Sequence, residues 1–120
     1  MRSEYLEGRV FCAWLRSKNL RFSHIPLESP NLRTALAKKA RGAVKGVPDY
    51  LIVIPPLYDS SIDCRQPVAG VVLFVELKRK TGGRVTKEQK EWCAALTAAG
   101  CPARVCRGAE EAQRFVEEFL

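Results

Sequence analysis

Two short apolar runs constrain this chain more than any other feature. "LIVI" at 51–54 ends at Pro55 and Pro56, and "VVLFV" at 71–75 is cut off by a carboxylate, Glu76, after which the sequence turns basic in "VVLFVELKRKTGG". Runs this short and this apolar, closed by turn residues, read as buried strands, here "DYLIVI" and residues 70–78. A chain of 120 residues that holds two such strands is expected to form one domain, 1–120, burying roughly two-thirds of its unfolded surface.

The flanking segments read as follows. Leu6, Val10, Phe11, Trp14 and Leu15 recur at helical spacing over residues 3–18, and "LRFSHIP" reads as a short strand closed by Pro26. The Gly- and Lys-rich stretch after it reads as a loop with about one helical turn. Residues 57–69 form a polar connection. Thr86 and Gln89 have capping-box spacing for a second helix that Gly100 and Pro102 close, with Trp92, Ala95, Leu96 and Ala99 as its expected buried stripe. "ARVC" is a last short strand, and 109–119 a helix burying Ala112, Phe115, Val116 and Phe119. The order is αβββαβα, an α/β fold with a small mixed sheet flanked by helices, and Trp14 and Trp92 belong to its core.

Composition narrows the function classes. No apolar run approaches the roughly 20 residues of a membrane span, and "MRSEYLEGRV" lacks the pattern of a secretory signal. A cytoplasmic setting, in a bacterial, phage or host-cell interior, is the expectation. The five cysteines show no CxxC spacing and only His24 joins them, so reduced structural thiols are expected and no zinc site. The net charge of +7 suits a polyanionic partner. It is unevenly spread: residues 31–46 hold Arg33, Lys38, Lys39, Arg41 and Lys45 and no acid, whereas "EEAQRFVEEF" carries four glutamates and one arginine.

Glu76 is the anomaly. Side chains alternate along a strand, so Glu76 and Lys78 face one side and Leu77 the other. Asp49, in "GVPDYLIVI", stands at the start of the neighbouring strand, so two carboxylates converge at one sheet edge beside an ammonium. Oxygen ligands of this kind suit Mg²⁺ or another hard cation, which activates water and neutralises charge on a phosphate. Each residue also has a plain structural role open to it. Asp49 can be a turn residue, Lys78 the start of a solvated "KRK" run, and Gln89 no more than a cap. His24 reads as a strand-end residue or one that contacts the polyanionic partner.

In the order "GVPD", "VELK", "TKEQKEW", the chain resembles the virus-type replication-repair nuclease (VRR-NUC) domain of the PD-(D/E)xK nuclease superfamily. The PD pair is Pro48-Asp49 and the ExK triplet is Glu76-Leu77-Lys78. "HIP" at 24–26 matches a further stretch of the family, whereas "LESPN" after it departs from the usual turn. The resemblance implies a restriction-endonuclease-like core and a Mg²⁺- or Mn²⁺-dependent phosphodiesterase acting on DNA. Asp49, Glu76 and the backbone carbonyl of Leu77 would be metal ligands, with Lys78 and Gln89 catalytic. Glu4 would supply the helix glutamate that assists the site, and Glu7, one turn on, is the alternative. Arg33, Lys38, Lys39, Arg41, Arg79, Lys80 and Arg84 would cradle the DNA backbone. It further implies DNA repair, branched or four-way junction substrates and a homodimer, with Leu57, Tyr58 and Ile62 available for a partner. A non-catalytic DNA-binding module and a subunit of a repair complex are the rival classes.

Overall fold

The computed structural model describes residues 1–26, 29–57 and 69–120. Its elements are α1 (Glu4–Ser17), β1 (Arg21–His24), α2 (Leu32–Ala40), β2 (Tyr50–Ile54), β3 (Val71–Lys78), α3 (Lys87–Ala98), β4 (Ala103–Arg107) and α4 (Ala109–Glu117). The four strands form one mixed sheet in the order β1-β2-β3-β4, with β1–β2 and β2–β3 antiparallel and β3–β4 parallel. Helices flank it, so the α/β class expected from the sequence is the one observed.

The order itself is αβαββαβα, one helix more than the sequence reading. Residues 32–40, expected as loop with a single turn, form the nine-residue α2, opened by Asn31, whose side chain accepts from the Thr34 N–H at 2.8 Å. Leu, Ala and Lys are strong helix formers, and a cap suffices to start them. The helix was hidden because it buries no residue and so carries no apolar stripe facing a core. Most of the 57–69 connection, including Tyr58 and Ile62, lies outside the described residues.

The core sits on one face of the sheet. Tyr50, Ile52 and Ile54 of β2 and Leu73, Val75 and Leu77 of β3 point into it by strand alternation, and Phe11 and Leu15 of α1 and Ala112, Phe115 and Val116 of α4 cover them. Fully burying a side chain such as Phe11 or Leu15 contributes about 1.5–3 kcal/mol. Phe119 and Trp14 pack at its margin and are only partly buried. Gly8 lets α1 sit close to β2, since a Cβ there would lie 2.7 Å from the Tyr50 hydroxyl.

The opposite face is covered at its β3–β4 side by α3. The expected stripe there is corrected: Ala95 and Ala99 are exposed, Trp92 and Leu96 half-buried, and Cys93 is the residue that is buried. The inward face of α3 runs through Gln89, Cys93 and Leu96, about one residue around the helix from the apolar prediction. A polar residue faces inward at its first turn because Glu76 lies beneath it.

Candidate active site

Strand register brings the acids together. Tyr50 pairs with Val75, so one step beyond the ladder Asp49 stands opposite Glu76, on the face away from the core. The approach to Asp49 is tightly held. Pro48 is fully buried, and Gly46 has φ +98°, where a Cβ would come within 2.6 Å of the Glu88 carbonyl carbon on α3. Asp49 is fixed by its own backbone and side chain: its carbonyl accepts from the Ile25 N–H at 2.5 Å, and its Oδ2 accepts from the Leu77 N–H at 3.0 Å.

Glu76 is 3% exposed. Its Oε1 accepts from Gln89 Nε2 at 2.7 Å and lies 3.5 Å from Lys78 Nζ, while its Oε2 is buried with no hydrogen-bond partner. Gln89 is both a cap and a hydrogen-bond partner of Glu76. Its Oε1 accepts from the Thr86 N–H at 2.9 Å, its own N–H donates to Thr86 Oγ1 at 3.2 Å, and its amide nitrogen holds Glu76. The capping box therefore aims the Gln89 amide at the carboxylate.

Burial, and then the nearby charge of Asp49, pushes Glu76 up to about 7 against the opposing pull of Lys78. Burial likewise raises Asp49; the Leu77 N–H opposes this and the Glu4 charge adds to it. Glu76 is thus a buried acid with an unpartnered oxygen, raised by the charge of the half-buried Asp49, which Glu4 raises in turn. Among the described residues no group of three or more His, Cys, Asp or Glu side chains is placed to hold a metal ion. The donor set is two carboxylates and the Leu77 carbonyl, which suits a Mg²⁺-like cation that completes its shell with water and substrate oxygens.

The site floors a cleft of about 1420 Å³ walled by α1 and by the α2 arm with the loop after it. Glu4, exposed on the first turn of α1, lines it, as do His24, Lys38, Lys39 and Lys45. Glu7 does not line it, and its candidacy as the helix glutamate is corrected. Fully buried on the α4 side, it bonds Arg2 Nε at 2.5 Å and accepts from the Ala109 N–H at 3.3 Å. It thereby caps α4, whose N-cap Gly108 offers no side chain.

Of the seven residues expected to cradle DNA, Lys38 and Lys39 line the cleft, whereas Arg33, Arg41, Arg79, Lys80 and Arg84 do not. Lys80 has crossed to the α4 side, 3.5 Å from Glu110. Instead Arg9 and Arg16 of α1 enter the wall, two residues the sequence reading passed over. Their signal was the helical spacing of the polar flank of α1, which a search for core positions ignores.

The VRR-NUC domain model matches residues 6–110. The chain belongs to the VRR-NUC domain family. The family is nuclease-type, and the matched span holds Asp49, Glu76, Leu77, Lys78 and Gln89, with Glu4 just before it. A solved structure described as a VRR_NUC domain protein superposes with TM-score 0.72 at 21% identity, covering 100% of this chain and 89% of that one. That likeness shows the VRR-NUC fold. No curated protein matches the chain. No helix among the described residues is long and apolar enough to cross a membrane.

Proposed function

We propose that this VRR-NUC domain is a metal-dependent endonuclease that hydrolyses phosphodiester bonds in branched DNA. The observation that carries the reading is the buried Glu76 carboxylate, held on one oxygen by Gln89 and Lys78 and unpartnered on the other, opposite Asp49 at the floor of a basic cleft. A module that only binds DNA has no use for buried acids that repel phosphate.

Asp49, Glu76 and the Leu77 carbonyl would hold Mg²⁺ or Mn²⁺, which when bound offsets charge on the scissile phosphate and acidifies water. Glu4 adds a carboxylate from the α1 wall. Lys78 orients the attacking water and places a positive charge where negative charge grows on the phosphate. Gln89 holds Glu76 by its first oxygen and leaves the second without a protein partner. Lys38 and Lys39 on one wall and Arg9 and Arg16 on the other hold the strand through its phosphates, without base sequence.

The active species is a homodimer, pairing two sites on opposed strands of a junction. Leu32 and Leu36 of α2 are 74% and 56% exposed on a helix that no other helix or strand among the described residues approaches, and Leu57 is exposed as well. The acidic end of α4, with Glu117 and Glu118 exposed, supplies charge opposite to the basic α2. The test is incubation of the purified protein with labelled duplex, flap and four-way substrates, with and without Mn²⁺, alongside light scattering. Metal-dependent cutting of branched DNA by a dimer is expected. Binding without cutting would instead mark a non-catalytic module, and neither binding nor cutting a subunit that works only within a complex. A monomer at micromolar concentration that still cuts both strands of a junction overturns the dimer.

A further inference from the structure

The cleft wall on α1 has a regular composition. Tyr5, Arg9, Cys12 and Arg16 follow one another at spacings of four, three and four residues, so they form one stripe along the helix flank, and all four line the cleft. The stripe begins beside Glu4, whose charge is felt by both Asp49 and Glu76, and leads away from them. At 1.5 Å per residue it is about 16 Å long, which at 3.4 Å or more per nucleotide accommodates about five nucleotides at most. Tyr5 is 72% exposed, and its ring is presented to the cleft without being part of the core. Arg16 stacks over the Phe22 ring at 5.5 Å, which holds its guanidinium along the wall.

We infer that this flank of α1 is a track for an unpaired DNA strand, with the Tyr5 ring stacking on a base next to the scissile phosphate and Arg9 and Arg16 holding the following phosphates. The inference rests on the nuclease reading above and names the part of the substrate that enters the site. Paired bases keep their faces inside the helical stack, so an intact duplex offers this wall phosphates alone. An unpaired strand, as at a flap or an opened branch point, offers a base face to the exposed aromatic ring as well. The two arginines serve either form, and the tyrosine discriminates between them. A second exposed ring, His24, also lines the cleft and lies against the buried Tyr50 with centroids 5.0 Å apart, so the entrance presents two exposed ring surfaces.

The experiment measures fluorescence anisotropy of the 120-residue protein in EDTA, with a labelled thymidine oligonucleotide and a labelled blunt duplex, over a salt series. It adds the fluorescence of 2-aminopurine placed at the unpaired position of a flap. Tyr5→Ala is expected to lower the ratio of unpaired-strand to duplex affinity by roughly tenfold and to remove the quenching of 2-aminopurine, with Tyr5→Phe restoring both. Arg9→Ala and Arg16→Ala are expected to weaken both ligands and to reduce the salt slope by about one each. A Tyr5→Ala ratio equal to wild type, in a protein whose wild type cuts flaps with Mn²⁺, overturns the track and leaves the nuclease reading standing. Wild-type protein that neither binds nor cuts any of these DNAs overturns both.

Discussion

Replacing Glu76 with Gln should stabilise the metal-free protein, and by an amount that grows with pH. Burial and Asp49 raise the Glu76 carboxyl from 4.5 to about 7, so the folded state binds a proton that the unfolded chain has already released between those values. For a raised carboxyl the favourable contribution is complete below 4.5 and is lost as pH rises through 7. Above pH 7 the shift corresponds to about 3 kcal/mol at 1.36 kcal/mol per unit, and at pH 5 to less than about 1 kcal/mol. Gln removes the ionisable group while its side-chain oxygen still accepts from Gln89 Nε2. Urea unfolding of wild type and Glu76→Gln in EDTA at pH 5 and pH 8 measures the difference. The variant should gain up to about 3 kcal/mol at pH 8, of the order of 10 °C in Tm for a chain this size, and little at pH 5. Adding Mn²⁺ at pH 8 should then raise the stability of wild type and not of the variant, since a ligand that binds only the folded state stabilises it. A variant less stable than wild type by the same amount at both pH values would refute the reasoning, because it would make the Lys78 pairing structural and the carboxylate unstrained.

Three further outcomes follow from the geometry. Asp49→Ala should abolish metal-dependent cleavage while DNA binding holds or tightens, as an acid facing phosphate is removed; cutting at the wild-type rate in a gel assay would remove Asp49 from the site. Lys78→Ala should lower turnover by roughly two or more orders of magnitude with a modest loss of affinity, whereas Lys80→Ala, beside Glu110 outside the cleft, should change neither; equal losses in single-turnover assays would reduce both lysines to a charged patch. Gly8→Ala should destabilise the fold by about 1–3 kcal/mol in denaturant titration, because its new methyl group meets the Tyr50 hydroxyl where α1 rests on β2.

The strand pair and its two acids were legible because both signals are local. Apolar runs of strand length mark β2 and β3, and the period of two fixes which way Glu76 and Lys78 point relative to Leu77. Register then does the long-range work, setting Asp49 across from Glu76 without any sequence proximity. What was not legible depended on partners. The inward face of α3 is chosen by a hydrogen bond from Gln89 to a carboxylate, so a search for apolar spacing lands about one residue off. Helix α2 has no core partner, so it carries no stripe to detect. Arg79 and Lys80 follow Lys78 in sequence, yet the chain leaves β3 there. Proximity to Lys78 along the chain therefore fails to place them in the cleft, while Arg9 and Arg16, distant in sequence, reach it along a helix flank.

The two glutamates of α1 show why composition alone leaves such a choice open. Glu4 and Glu7 are three residues apart, both in the first turn, and either charge suits the N-terminal end of a helix dipole. Their fates diverge through the rotation of the helix about its axis, which Phe11 and Leu15 set by entering the core. Glu7 lies in line with Phe11, four residues on, and is carried down between α1 and α4. There Arg2 neutralises it and the open N-terminus of α4 takes its second oxygen. Gly108 allows that approach, because a Cβ there would come within 2.9 Å of Glu7 Oε2. Glu4, about 60° away around the helix axis, is left at the cleft edge, exposed, with its charge added to those of Asp49 and Glu76. Two identical side chains one turn apart thus have opposite environments, one ion-paired inside the protein and the other exposed at the cleft edge beside Asp49 and Glu76.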